Sequence, residues 1–325
     1  MNIQVIGGGS WGLALARLLA HNDHEVRLWC READQPETLR ATRRSPYYLK
    51  DVALPETVAV APEINANADI AVLAVPSHAM RATCRAFAFA EDTIRVSVAK
   101  GIENDTLMRM SEVIAEECGG CPAVALSGPS HAEEVAADLP ASVVAAGREG
   151  ALCQRVQEAF MTPRFRVYTS SDITGVELGG ALKNVIAVAA GVCDGFGLGD
   201  SAKAALVTRG LAEMSRLGLA MGADPLTFSG LSGMGDLIVT CMSQHSRNRA
   251  VGEKLAAGQQ PESVTGATHM VAEGVRTAQS AHLLAGQQGV DMPITTQVYR
   301  VLFEGLDPHD AVEELLLRDP KPERP

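Results

Sequence analysis

Positive charge is scarce in this chain. Among 325 residues, 28 lysines and arginines stand against 39 aspartates and glutamates, a formal net charge of −11. Binding a nucleic-acid backbone needs a basic surplus on one face, so nucleic-acid wrapping is excluded as the main activity. Aromatic residues make up only 4%, too few for base stacking to be the main mode of binding. Any anion site must therefore be local. Cysteine is sparse as well: seven, odd in number and scattered from Cys30 to Cys241. That pattern excludes a secreted disulfide framework. Cys118-Gly-Gly-Cys121 lacks the second Cys/His pair of a zinc knuckle and reads as a turn after a helix, so no metal is expected. Long apolar runs are missing too. A membrane helix needs roughly 18–20 apolar residues, and the best candidate, residues 176–193, is interrupted by Glu177, Lys183 and Asn184. The start, Met1-Asn2-Ile3-Gln4, has no basic leader, and Gly7 cuts the apolar run that follows. The expectation is a cytoplasmic protein without a membrane span.

What is present is enough apolar material, 46%, for sizeable cores, which excludes disorder as the global state. At about 100–200 residues per domain, the length predicts two. In the first half, short apolar runs alternate with helical patterns. Ile3–Ile6 predicts a strand, Gly7–Gly12 a tight turn and Leu13–Ala20 a helix. Further strands are expected at Glu25–Cys30, Asp69–Pro76, Ile94–Ala99, Ala123–Leu126, Ser142–Ala146 and Arg166–Tyr168. Runs apolar on both faces suit strands covered by helices on both sides, so the alternation predicts a Rossmann-type, doubly wound parallel sheet. In such a sheet ligands bind at the carboxyl ends of the strands.

After residue 173 the pattern becomes helical throughout: about 174–193, 200–217, 247–257, 272–287 and 294–304. Thr174 and Glu177 have the spacing of a capping box. The division expected is 1–173 for a dinucleotide-binding domain and 174–318 for an all-α substrate domain. The charged, proline-rich tail, 319–325, is expected to be disordered.

Gly7-Gly8-Gly9-Ser10-Trp11-Gly12 fits G-x-G-x-x-G directly after a strand and before a helix, the context that makes the pattern informative. Gly7 permits the sharp turn, Gly9 admits a pyrophosphate close to the backbone, and Gly12 lets helix and strand pack. The helix N-terminus then offers free N–H groups to the phosphates. At the end of the second strand, an acidic residue favours NAD and an arginine suits the 2′-phosphate of NADP. Here Arg31 is followed by Glu32, which points to NADP(H) as the preferred cofactor and leaves NAD(H) possible.

Lys183 sits in an apolar helical stretch. Helical side chains lean over residues three and four earlier, here Gly180 and Gly179, so the lysine is expected to reach into open space. Two glycines cost about 1 kcal/mol each relative to Ala inside a helix, which signals a cavity or a close approach. A desolvated ammonium there can exchange a proton near neutral pH; a snorkelling lysine at a domain junction fits the same pattern. Asp236 follows the glycine-rich run from Gly230 and could equally be a helix cap. Ser246-Arg247-Asn248-Arg249 opens a helix and forms a candidate phosphate corner, with a solvated cap as the plain alternative.

Seven segments in order complete the pattern. They are Gly7–Gly12, Val98–Glu103, Leu126–Ser130, Ala181–Val185, Gly233–Leu237, Ser246–Arg249 and Val271–Val275. With them the chain resembles the bacterial NAD(P)-dependent sn-glycerol-3-phosphate dehydrogenases over nearly its whole length. Lys50-Asp51 departs from the family's usual residues after Tyr48-Leu49, and His131 stands where a phenylalanine is expected. The resemblance implies interconversion of dihydroxyacetone phosphate and sn-glycerol 3-phosphate, supplying phospholipid synthesis. It implies Lys183 as proton donor and acceptor, with Lys100 and Asp236 beside it. Lys100, Gly128, Ser130, Lys183, Asp236, Ser246, Arg247 and Asn248 would hold the substrate. Ser10, Trp11, Arg31, Tyr48, Lys100, Ala132, Arg247, Val271 and Glu273 would line the dinucleotide site with the glycines Gly7, Gly9 and Gly12. Two alternatives stay open from the residues themselves. One is a related dehydrogenase of another small phosphorylated or β-hydroxyacid substrate; the other is a non-enzymatic NADP sensor. Long apolar helices permit a homodimer.

Overall fold

A computed structural model describes residues 1–265, 272–320 and 322–323. Eight strands form one sheet: β1 (Asn2–Ile6), β2 (Glu25–Trp29), β3 (Ala59–Val60), β4 (Ile70–Leu73), β5 (Ile94–Ser97), β6 (Ala123–Ser127), β7 (Ala141–Ala146) and β8 (Phe165–Ser170). Their order is β3-β2-β1-β4-β5-β6-β7-β8. All neighbours run parallel except β6 and β7, which pair Ala125 with Ala146 in antiparallel register. The connection between those two strands contains only the short helix Ala132–Ala136, and the chain folds straight back. The expected doubly wound sheet is present, with this one reversal. Every residue of β4 and β5 is buried, as strands covered on both faces require.

The switch point lies between β1 and β4, where the order departs in both directions from the first strand. The carboxyl ends there carry Gly7 after β1 and Ser77 after β4; Lys100 and Gly128 follow β5 and β6 nearby. The turn after β1 is shorter than expected, because the helix starts at Ser10 rather than Leu13. Gly7 has φ +118°, and a Cβ there would lie 2.2 Å from the Ala74 carbonyl oxygen. At Gly12 it would lie 1.9 Å from the Gly7 carbonyl oxygen, so both glycines are sterically required. The two-residue strand β3 is too short to leave a periodic signal.

Beyond β8 the chain is helical. A central helix, Ile173–Gly195, is packed by helices Asp200–Ala220, Asp236–Met242, Arg247–Ala256, Glu273–Gln288 and Pro293–Phe303. It is long and apolar enough to cross a membrane, but 94% of that window is buried inside the protein. Its cap differs from the expected Thr174/Glu177 box. The helix begins one residue before Thr174, and Asp172 accepts the Gly175 N–H at 2.8 Å. Glu177 is released to meet Arg109 and Ser111 on the sheet-domain side.

Helix Arg247–Ala256 crosses the central helix at glycine. A Cβ on Gly191 would lie 1.9 Å from the Arg249 carbonyl oxygen, and one on Gly252 would lie 2.0 Å from that of Val188. The helix that a cap at Asp236 would announce is present, Asp236–Met242, but it is entered through a π-helical turn, Leu231–Gly235, and Gly235 stands at the cap position. Cys118 to Cys121 form a turn after helix Met110–Glu117, with Gly119 and Gly120 at positive φ. In the tail, Glu323 pairs with Arg209 at 3.1 Å.

Candidate active site

The central helix carries Lys183 to the seam where its helix faces the carboxyl ends of β5 and β6. The lysine does not enter open space. Its side chain is buried, and Nζ donates to Asp236 Oδ1 and to Thr240 Oγ1, both at 2.6 Å. The glycines one turn earlier mark close approach: a Cβ on Gly180 would meet Ser127 Oγ at 2.6 Å, and one on Gly179 the Ser232 carbonyl at 2.4 Å. Thr240 donates its own proton to the Asp236 carbonyl oxygen at 2.6 Å, so its oxygen can face the lysine only as an acceptor.

Asp236, at the start of its helix, bridges two cations. Its other oxygen accepts from Lys100 Nζ at 2.8 Å, and Lys100 also donates to the Gly128 carbonyl at 2.9 Å. Burial alone would raise the Asp236 carboxyl, but Lys100 and Lys183 outweigh it and hold it below the usual carboxylate range. Burial pulls the Lys183 ammonium down to about 8; Asp236 resists that shift and Lys100 adds to it. The lysine is thus desolvated rather than snorkelling to solvent.

Asn184 ties this cluster to two further segments. Its Nδ2 donates to the Lys100 carbonyl at 3.0 Å, and its Oδ1 accepts from Asn248 Nδ2 at 2.9 Å. Asn248 Oδ1 then accepts the Gly274 N–H at 2.9 Å. The Asn248 amide is thus engaged with protein at both ends. Ser246 caps its helix, accepting the Arg249 N–H at 3.2 Å, and is buried, while Arg247 beside it is exposed. On the sheet side, Ser130 Oγ donates to the Gly128 carbonyl at 2.9 Å. Gly128 has φ +145°, and a Cβ there would crowd the Val143 backbone at 2.9 Å.

The glycine turn passes the test for a dinucleotide. A Cβ on Gly9 would meet nothing within 4 Å, and no side chain caps the helix that Gly9 precedes. The first N–H groups of that helix are therefore uncapped by any side chain, as a diphosphate acceptor requires. Trp11 Nε1 is buried without a partner among the described residues. Arg31 follows β2 with its guanidinium exposed and paired with Glu32 at 2.8 Å. Tyr48 is buried; burial raises its phenol first, Glu32 adds to this, and Arg31 and Arg247 oppose it. The phenol therefore lies within electrostatic reach of both arginines.

Glu273 reaches Ser77, after β4, from the helical side, accepting from Ser77 N at 3.0 Å and Ser77 Oγ at 2.6 Å. Burial raises its carboxyl above the usual range, against the pull of Ser77. Ala132 begins the short helix after the Gly128 turn. Val271 lies outside the described residues. Sequence reasoning missed Thr240, Asn184 and Ser77; each is an ordinary residue in its own stretch, and only the fold brings it to the lysine, the asparagine chain or Glu273.

Two family models match. One, the NAD-dependent glycerol-3-phosphate dehydrogenase N-terminus, covers residues 2–153, and the other, the C-terminus of the same enzymes, covers 172–313. Glycerol-3-phosphate dehydrogenase [NAD(P)+] of Chlorobium luteolum is 48% identical, with all of both chains covered. The protein of that name from Syntrophotalea carbinolica is 51% identical, with 99% of each chain covered. The crystal structure of glycerol-3-phosphate dehydrogenase from Coxiella burnetii superposes with a TM-score of 0.92 at 38% identity, covering 97% of this chain and 98% of that one. Ketopantoate reductase from Ralstonia eutropha, 15% identical with a TM-score of 0.59, shares the fold alone. With both halves matched and relatives near half identical along the full length, the chain belongs to the NAD(P)-dependent glycerol-3-phosphate dehydrogenase family.

Proposed function

We propose that the protein interconverts dihydroxyacetone phosphate and sn-glycerol 3-phosphate, and that Lys183 is the group that moves the proton. The observation that carries this reading is the pair of lysines on one buried carboxylate. Among the described residues, Lys183 has two acceptors, Asp236 and Thr240, and Lys100 has two, Asp236 and Gly128. An ammonium has three N–H donors. Each lysine therefore keeps one for a bound oxygen, and both lie beside Asp236.

A bound reduced nicotinamide supplies the hydride. The charge that develops on the ketone oxygen is met by Lys183 and Lys100, beside the buried Asp236. Lys183 protonates that oxygen in reduction and accepts the proton in oxidation, for which a pKa near the working pH is suited. Asp236 aims both ammonium groups and opposes the downward shift of Lys183. Ser246 and Arg247 hold the substrate phosphate at the start of their helix, fixing the reacting carbon through remote binding energy. Gly128 and Ser130 complete the substrate's sheet-side wall. Asn248 acts by tying Asn184 to Gly274. The glycine turn with Ser10 and Trp11 holds the diphosphate, Arg31 takes a 2′-phosphate, and Tyr48, Ala132 and Glu273 line the rest. We assign 1–173 to the dinucleotide and 174–318 to the substrate, and expect a cytoplasmic enzyme that feeds phospholipid synthesis, with helices that permit a homodimer.

The test is NADPH consumption on adding dihydroxyacetone phosphate, with NADH and unphosphorylated dihydroxyacetone in parallel. Fast, phosphate-dependent oxidation is expected, with NADPH preferred. Absence of turnover despite NADPH binding would overturn the reading.

A further inference from the structure

His131 follows Ser130 in the loop between β6 and the short helix Ala132–Ala136. The same loop presents the Gly128 carbonyl to Lys100. The imidazole faces across the seam: its ring lies 5.8 Å from that of His245, the residue before the Ser246 cap. His131 thus stands between the lysine–aspartate cluster and the phosphate corner. Its Nε2 is buried and has no hydrogen-bond partner among the described residues. A buried polar nitrogen left unpaired costs about 1–3 kcal/mol, which a ligand atom would recover.

The surroundings keep the ring neutral. Burial lowers its basicity first, and Lys183 and Lys100 lower it further. Glu134 and Glu133, on the helix that follows, oppose this, and His245 faces it from the helical side. A neutral imidazole next to two ammonium groups suits an uncharged polar atom. The substrate's ketone oxygen is taken by the lysines and its phosphate by the Ser246–Arg247 corner. The group that remains is the free hydroxyl.

We infer that His131 is a substrate-binding residue whose Nε2 hydrogen-bonds the free hydroxyl of the triose phosphate. The inference rests on the reaction proposed above.

The test compares three variants on two substrates. Gln places an amide nitrogen near the Nε2 position of histidine, Asn places one near Nδ1, and Phe keeps the ring shape without nitrogen. For dihydroxyacetone phosphate, His131→Phe and His131→Asn should raise KM about tenfold, the value of one lost hydrogen bond. Their kcat should stay within about threefold, and His131→Gln should stay near wild type. Acetol phosphate has the ketone and the phosphate but lacks the free hydroxyl. On it, wild type and variants should share one KM, because removing the hydroxyl or the nitrogen breaks the same contact. NADPH affinity should be the same in all four proteins.

An unchanged KM in His131→Phe and His131→Asn would overturn the inference. So would rescue by Asn instead of Gln, or a KM rise that persists on acetol phosphate, since each assigns the effect to another atom or to packing. Wild type inactive on dihydroxyacetone phosphate would instead defeat the reaction itself.

Discussion

Two buried carboxylates meet cations across the same seam, and their settings differ. Glu177, near the start of the central helix, accepts from Arg109 Nη1 at 2.7 Å and from Ser111 N and Oγ at 2.7 and 2.6 Å. Its oxygens are saturated by protein, and burial still raises it above the usual carboxylate range, against the pull of Arg109. Asp236 is as buried, yet it is held below that range by two lysines. The cations explain the division of labour. A guanidinium keeps its proton at working pH and binds through a rigid fork, which suits a fixed joint between sheet and helix. An ammonium loses its proton more easily when desolvated, which suits chemistry. The molecule places a fixed joint and the lysine proposed to carry the proton within two turns of one helix, and the choice of arginine or lysine separates the two.

The comparison breaks most visibly at the lysine. Lys183→Ala should lower kcat about 10³-fold while NADPH still binds, and Lys183→Arg should do no better, because a guanidinium cannot cycle its proton. Steady-state kinetics and a cofactor titration check both. At the fixed joint, Arg109→Ala leaves Glu177 buried without its cation and should cost about 3–5 kcal/mol in chemical denaturation, with kcat nearly unchanged in the folded fraction. Arg247→Ala removes a cation from the phosphate corner without touching either carboxylate. It should raise KM for dihydroxyacetone phosphate about 10–100-fold, as loss of a charge-assisted contact does. The pH profile sharpens the contrast with no mutation. Lys183 is charged below about 8 and neutral above it. Ketone reduction, which needs the proton, should therefore fall as pH rises through that value, and oxidation of glycerol 3-phosphate should rise. A reduction rate flat from pH 7 to 9 (an interval of roughly two units around that value) would remove Lys183 as the donor.

Most of the sheet was legible because β1, β4, β5 and β6 are near-continuous apolar runs ending in glycine, proline or polar residues, while two-residue β3 left no signal. The glycine turn was legible because steric demand at Gly7 and Gly12 leaves no other residue type. The helix boundary at Ser10 was not, since serine and tryptophan have no strong preference for a first turn. Thr174 and Glu177 matched a capping box by spacing, but Asp172 offers a better acceptor at the cap and Arg109, distant in sequence, claims Glu177. Lys183 was visible as a charge out of place. Its partners were not, because Asp236 reads equally as a helix cap and Thr240 as ordinary helix. The reversal at β7 depends on a short connection whose hydrophobic pattern resembles a parallel strand's.

The glycine crossing of Gly191 and Gly252 has a consequence for substrate length. Lys183 and the Ser246–Arg247 corner ride on two helices whose backbones touch, with no side chain between them to yield. The separation of the proposed proton donor and the proposed phosphate holder is therefore a fixed gauge, set by two missing methyl groups. Gly252→Ala, by wedging the helices apart, should weaken the enzyme's preference for a three-carbon phosphate over its four-carbon homologue, read as the ratio of their kcat/KM values. On this view the enzyme measures its substrate with its backbone, and the charged side chains report only whether the ends arrive.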